Sequence, residues 1–124
     1  MGTTLKSSIE RYWKAANDRD WLTFESLLHE DIVYELPQTR ERIRGRRAFS
    51  EFNKTYPGKW TLSIERLVVE DSQAISQIVF RLNDEEQSGI SFFEFKGSLI
   101  FRIVEYWPEP YAPPKRLSNT IEKY

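Results

Sequence analysis

Glu105 is the residue in this sequence with the clearest opportunity to move a proton. Alternation along Leu99–Trp107 puts Phe101, Ile103, Glu105 and Trp107 on one strand face, so a lone carboxylate stands in an otherwise apolar and aromatic row. If that face turns inward, burial disfavours the ionised form and lifts the pKa above the ordinary value of about 4.3. A carboxyl shifted that way suits general acid or base work. Two plainer readings stay open at this point: an ion pair with Arg116, or a register that turns Glu105 to water. Tyr12 is the candidate donor to a carbonyl or to Glu105, against the alternative of a core tyrosine with a satisfied hydroxyl. Trp13, Tyr34, Trp60 and Trp107 offer flat surfaces on which an apolar ligand would stack, or equally plain core packing.

Other chemistries find little support. The sequence has no cysteine and one histidine, His29, and no carboxylates clustered at ligand spacing, so no metal site and no cofactor are expected. His29 falls at the end of a predicted helix, where a cation favours the helix dipole. The run Arg40–Arg47 reads as a solvated loop because Glu41 interrupts it, and Asp84-Glu85-Glu86 reads as a hairpin tip. Glycine-rich phosphate loops, a serine-nucleophile elbow and a dinucleotide fingerprint are all missing from the sequence.

The elements that must position these residues follow from periodicity. Ile9, Tyr12, Trp13 and Ala16 make one stripe of a helix over Thr4–Asp18, with Thr4 or Ser7 as its cap. Asp20 caps a second helix over Trp21–His29, with Trp21, Phe24, Leu27 and Leu28 inward. Asp31–Leu36 alternates as a strand that Pro37 ends, with Ile32, Tyr34 and Leu36 on one face. A third helix over Arg46–Tyr56 presents Phe49, Phe52 and Tyr56. Strands follow over Trp60–Glu70 (slipping at Arg66-Leu67, a bulge signal), Ala74–Leu82, Gly89–Lys96 and Leu99–Trp107. The prolines at 108, 110, 113 and 114 make residues 108–124 an extended arm, with Ser118–Tyr124 as a candidate short helix.

With 124 residues, 40% hydrophobic and 15% aromatic, the chain is sized for one domain, residues 1–124, with a real core. A net charge of −1 removes the electrostatic case for nucleic acid. The mean hydropathy of −0.60 and the absence of a long apolar run argue against a membrane span. Met1–Ser8 lacks the pattern of a secretory signal, and a cytoplasmic location is the expectation. Helices first and a strand meander after them predict an α+β fold, a curved antiparallel sheet with N-terminal helices on one face around a cone-shaped cavity.

This order resembles the nuclear transport factor 2-like superfamily and, within it, the SnoaL-like (polyketide cyclase-like) proteins. The resemblance rests on Ile9-Glu10-Arg11-Tyr12-Trp13, Asn17-Asp18-Arg19-Asp20-Trp21, Leu27–Tyr34, the Gly45 turn before Phe49 and Phe52, Phe93-Glu94-Phe95-Lys96-Gly97 and Ile103–Trp107. It implies that the Glu105 face points inward. Trp13, Tyr34, Leu36, Trp60, Phe80, Phe93, Ile103 and Trp107 then contact substrate, with Glu105 and Tyr12 as the catalytic pair. In the ketosteroid isomerase branch, the helix-1 tyrosine falls on Tyr12, the general-base aspartate on Leu36 and a protonated aspartate near Ser91. Leucine takes no proton, so steroid isomerase activity is not assigned. The expected function is a small-molecule pocket, either a cofactor-free acid–base enzyme on an apolar cyclic substrate or a noncatalytic ligand-binding or protein-interaction module. Ile90, Phe92, Val104 and Tyr106 share the opposite sheet face, so a homodimer through that face is expected.

Overall fold

The computed structural model describes residues 4–124; residues 1–3, and with them part of the stretch read for a secretory signal, lie outside the described residues. Helix α1 (Leu5–Asp18) starts at Thr4, whose Oγ1 accepts from the Ser7 N–H at 3.1 Å. It buries Ile9, Tyr12, Trp13 and Ala16 and ends where Arg19 turns left-handed at φ 59°. Asp20 caps α2 (Trp21–Ser26) by accepting from the Thr23 N–H at 3.2 Å.

Helix α2 is shorter than its apolar stripe suggests. Ile100 donates its N–H to the Leu27 carbonyl at 3.0 Å, and Leu28 pairs with Ile100, so the sheet captures this segment. Strand β1 therefore spans Leu28–Leu36. His29 lies in that strand and not at a helix C-terminus, which removes its expected capping role; its Nδ1 accepts from the Asp31 N–H at 3.0 Å.

The arginine-rich run yields a further strand, β2 (Glu41–Arg44), where a loop is expected. It pairs antiparallel with β1 through Tyr34↔Ile43 and Leu36↔Glu41. Ile43 is its sole apolar residue, and charged side chains are the usual dress of an edge strand, so composition hides it. Gly45, at φ 95°, then starts α3 (Arg46–Lys54), which ends two residues short of Tyr56.

Strands β3 (Thr61–Glu70), β4 (Gln73–Leu82), β5 (Glu85–Lys96) and β6 (Leu99–Tyr106) form a meander. Asp71 and Asn83, both at positive φ, make the first two turns, and Gly97 at φ 64° the third. The β3–β4 register shifts between Ile64 and Arg66, beside the expected bulge, and β5–β6 shifts between Glu94 and Phe95. Such irregularities bend a sheet.

The six strands are ordered β2-β1-β6-β5-β4-β3. All pairs are antiparallel except β1 with β6, which are parallel and distant in sequence. The three helices pack on one side, and the core between layers includes Ile9, Phe24, Leu28, Ile32, Phe49, Ile78, Phe93 and Ile103. Residues 107–124 form neither helix nor strand. The short helix over Ser118–Tyr124 does not form: Leu117 and Ile121 are exposed, and a helix of two turns without packing is marginal. Among the described residues no helix is long and apolar enough to cross a membrane.

Candidate functional site

A cavity of about 450 Å³ lies between the sheet and the helices. That volume falls in the range of small-molecule sites. Helix α1 contributes Tyr12, Trp13 and Ala16; β1 contributes Tyr34 and Leu36; α3 and the turn after it contribute Phe49, Phe52, Asn53 and Tyr56. The far wall is Trp60, Leu62, Ile78 and Phe80, and the floor carries Glu105 with Trp107. Glu41, Tyr56, Gln87 and Glu109 line the cavity and are exposed, so the cavity opens to solvent between them.

Glu105 is 5% exposed and accepts three hydrogen bonds. Tyr34 Oη and Trp107 Nε1 donate to Oε2 at 2.5 and 2.9 Å, and Ser91 Oγ donates to Oε1 at 2.7 Å. The strand register explains the set. Ser91 is the direct cross-strand partner of Glu105, while Tyr34 reaches it from the parallel strand β1. Neither the Arg116 ion pair nor a solvent-facing carboxylate occurs.

Burial pushes the Glu105 pKa up, and the bonds from Ser91, Tyr34 and Trp107 pull against that rise without cancelling it. An indole N–H donates only, so Oε2 stays an acceptor in both protonation states. The proton, when present, belongs on Oε1, with Ser91 turned to accept it; a hydroxyl serves in either role.

Tyr12 is 2% exposed and lines the same cavity, yet its hydroxyl has no hydrogen-bond partner among the described residues. Burial and then the Glu105 charge hold its pKa well above the ordinary phenol value, so it stays a neutral donor. Tyr34 is held up by the same two causes.

The expected substrate-contacting residues divide. Trp13, Tyr34, Leu36, Trp60, Phe80 and Trp107 line the cavity. Phe93 and Ile103 sit on the inward face but within the packed core and do not line the cavity; Phe93 lies edge-on to Tyr12 of α1 at 5.5 Å. Residues missed as ligand contacts are Ala16, Phe49, Phe52, Asn53, Tyr56, Leu62, Ile78, Gln87 and the rim carboxylates Glu41 and Glu109. Phe49, Phe52 and Tyr56 carry a helical inner-face signal that points to this lining; Glu41, Gln87 and Glu109 carry none.

The walls are fixed by further contacts. Trp13 Nε1 donates to Ser76 Oγ at 3.0 Å, and Trp60 Nε1 to the Tyr56 carbonyl at 3.2 Å. Arg19 lies over the Trp60 ring, 3.4 Å from its centroid, and donates to the Trp60 carbonyl at 2.6 Å. Among the described residues, no three His, Asp or Glu side chains gather at metal-binding distances.

A six-stranded bent sheet with helices on one side, closing on an aromatic cavity, defines a nuclear transport factor 2-like protein. The profile of the SnoaL-like domain matches residues 9–103, and the chain belongs to the SnoaL-like family. Among solved structures, it is similar to a protein of Kribbella flavida provisionally assigned as a ketosteroid isomerase, at 38% identity and a TM-score of 0.93, covering 97% of this chain and 89% of that one. It is also similar to an NTF-2 like protein of unknown function from Burkholderia xenovorans (21% identity, TM-score 0.82, covering 97% and 94% of the two chains). A third likeness is to an LEH-like epoxide hydrolase of M. tuberculosis (19%, TM-score 0.70, covering 84% and 82%). No curated protein matches the sequence.

Proposed function

We propose that this protein binds an apolar cyclic small molecule in the aromatic cavity and exchanges a proton with it through Glu105, without a cofactor. One observation carries the reading: a buried carboxyl, its pKa pushed up by burial, shares the cavity with a tyrosine hydroxyl that makes no hydrogen bond among the described residues. In this reading a substrate oxygen accepts from Tyr12, and Glu105 gives or takes the proton at Oε1, with Ser91 reorienting to match. The likeness to the Kribbella flavida protein supports a small-molecule, enzyme-like site.

A second reading has its own support. Leu36 lines the cavity where the ketosteroid isomerase branch holds its base, so a second proton-transfer group is missing there. That favours a noncatalytic ligand-binding module. Both readings include a homodimer: Phe92 and Tyr106 stand 42% and 36% exposed on the outer sheet face, their rings 6.0 Å apart and edge-on. A bare apolar patch of this kind marks interaction surfaces.

Deuterium exchange at the α-carbon of 1-tetralone in D2O, followed by NMR, separates the two readings. The enzyme reading expects exchange above buffer that falls by about 10²-fold or more in Glu105→Gln, the usual scale of acid–base assistance, and falls in Tyr12→Phe. Binding of tetralone without faster exchange supports the binding module instead.

A further inference from the structure

We propose that the ligand of this cavity carries a positively charged nitrogen, held by a cluster of aromatic rings and by two carboxylates at the mouth. The inference rests on the small-molecule reading above and names the ligand's charge.

The lining is electrostatically one-sided. It contains three carboxyl groups, Glu41, Glu105 and Glu109, and, among the described residues, no Lys, Arg or His. Yet the sequence holds 18 lysines and arginines. Three of them, Arg44, Arg46 and Arg47, line a separate groove at the start of α3. No cation contributes to the pKa of Glu105 either; only burial and neutral donors act on it. An anionic ligand would therefore enter without a partner for its charge, at a cost that buried unpaired charges always carry.

Four rings of the lining, running inward from the exposed Tyr56, form a cluster. Phe80 stands at its centre, 5.9 Å from Tyr56 and edge-on, 5.9 Å from Trp60 and nearly parallel, and 5.6 Å from Trp107 and edge-on. Ring faces are negative, and cages of three or four rings are a general solution for holding an ammonium group. Trp60 already takes a cation on one side, the Arg19 guanidinium, and Arg19 does not line the cavity. Deeper in, the Tyr12 hydroxyl lines the cavity and makes no hydrogen bond among the described residues, so the far end of the ligand meets a neutral donor. The cavity thus suits a molecule with a cation at the mouth end, an apolar ring in the middle and an oxygen acceptor at the floor.

Three probes that share a naphthalene ring system and differ in charge test this: 1-naphthalenemethylamine as its ammonium, 1-naphthalenemethanol and 1-naphthoate, titrated into the protein by calorimetry near neutral pH. The ammonium is expected to bind about tenfold more tightly than the alcohol, the scale of a desolvated cation–π contact, and the naphthoate more weakly than either. The double variant Glu41→Gln, Glu109→Gln is expected to shrink the ammonium's advantage by several-fold, as loss of rim charge requires. If the alcohol binds and the ammonium binds no better, or the naphthoate binds best, the charge assignment is overturned while the pocket reading stands. If none of the three binds, both fall together.

Discussion

Glu105 is held by three donors of unequal chemistry, and that inequality sets its behaviour. Trp107 donates in either protonation state, Tyr34 sits at 2.5 Å on the same oxygen, and only Ser91 needs to reverse. Removing Tyr34's hydroxyl takes away a bond that lowers the Glu105 pKa, so Tyr34→Phe is expected to raise that pKa further, read from the carboxyl carbon shift. Stability carries the same sign. A carboxyl with a raised folded-state pKa holds its proton more tightly folded than unfolded, so its contribution is full below the unfolded value. That contribution is lost as pH rises from the ordinary carboxylate range through the elevated value of Glu105. Wild type is therefore expected to lose thermal stability relative to Glu105→Gln across that window. A difference in Tm that stays flat with pH would contradict the raised value.

Packing between elements holds the floor in place. Gly89 in β5 leaves room for the Trp107 indole; a Cβ there would stand 2.7 Å from the ring. Gly89→Ala is expected to displace Trp107, weaken its bond to Glu105 and cost about 1–3 kcal/mol, as overpacking does, measured by denaturant unfolding with tryptophan fluorescence. On α3, Ser50 is buried and its hydroxyl has no partner among the described residues. Ser50→Ala is expected to be neutral or to stabilise by about 1 kcal/mol, because an unmade buried hydrogen bond is removed. A clear loss of stability would show a partner for that hydroxyl.

The same scale explains what the sequence could reveal. Period-two alternation was enough to set Glu105 beside Trp107 and Tyr34 beside Leu36 on common faces. The slip at Arg66-Leu67 marked the bulge within about two residues. Pairing between distant segments was not visible. Strand β1 parallel to β6 depends on Leu28 meeting Ile100, which no local pattern encodes, and that contact also moved His29 from helix to strand. Strand β2 escaped because its charged residues face water or a neighbouring strand: Arg42 bridges Glu35 of β1 at 2.6 Å. Parity groups Ile103 with Glu105, and the resemblance turns that face and Phe93 inward, but neither separates the packed core from the cavity wall.

Over the whole molecule, the two sheet faces take different roles. The inner face is divided between core and cavity. The outer face carries Ile75, Phe92 and Tyr106 exposed beside the Glu35–Arg102–Glu94 ion chain, a mixed surface suited to self-association. Light scattering is expected to report a dimer that Phe92→Arg converts to monomer with its fold intact by circular dichroism. A wild-type monomer would remove the dimer from the account.

The central claim is that burial lifts the pKa of one carboxyl inside an open aromatic cavity. Carbon-13 NMR titration of the Glu105 carboxyl in the ligand-free protein measures this directly, with Glu105→Gln identifying the resonance. The account expects a midpoint clearly above the ordinary glutamate range. A midpoint within or below that range would contradict it.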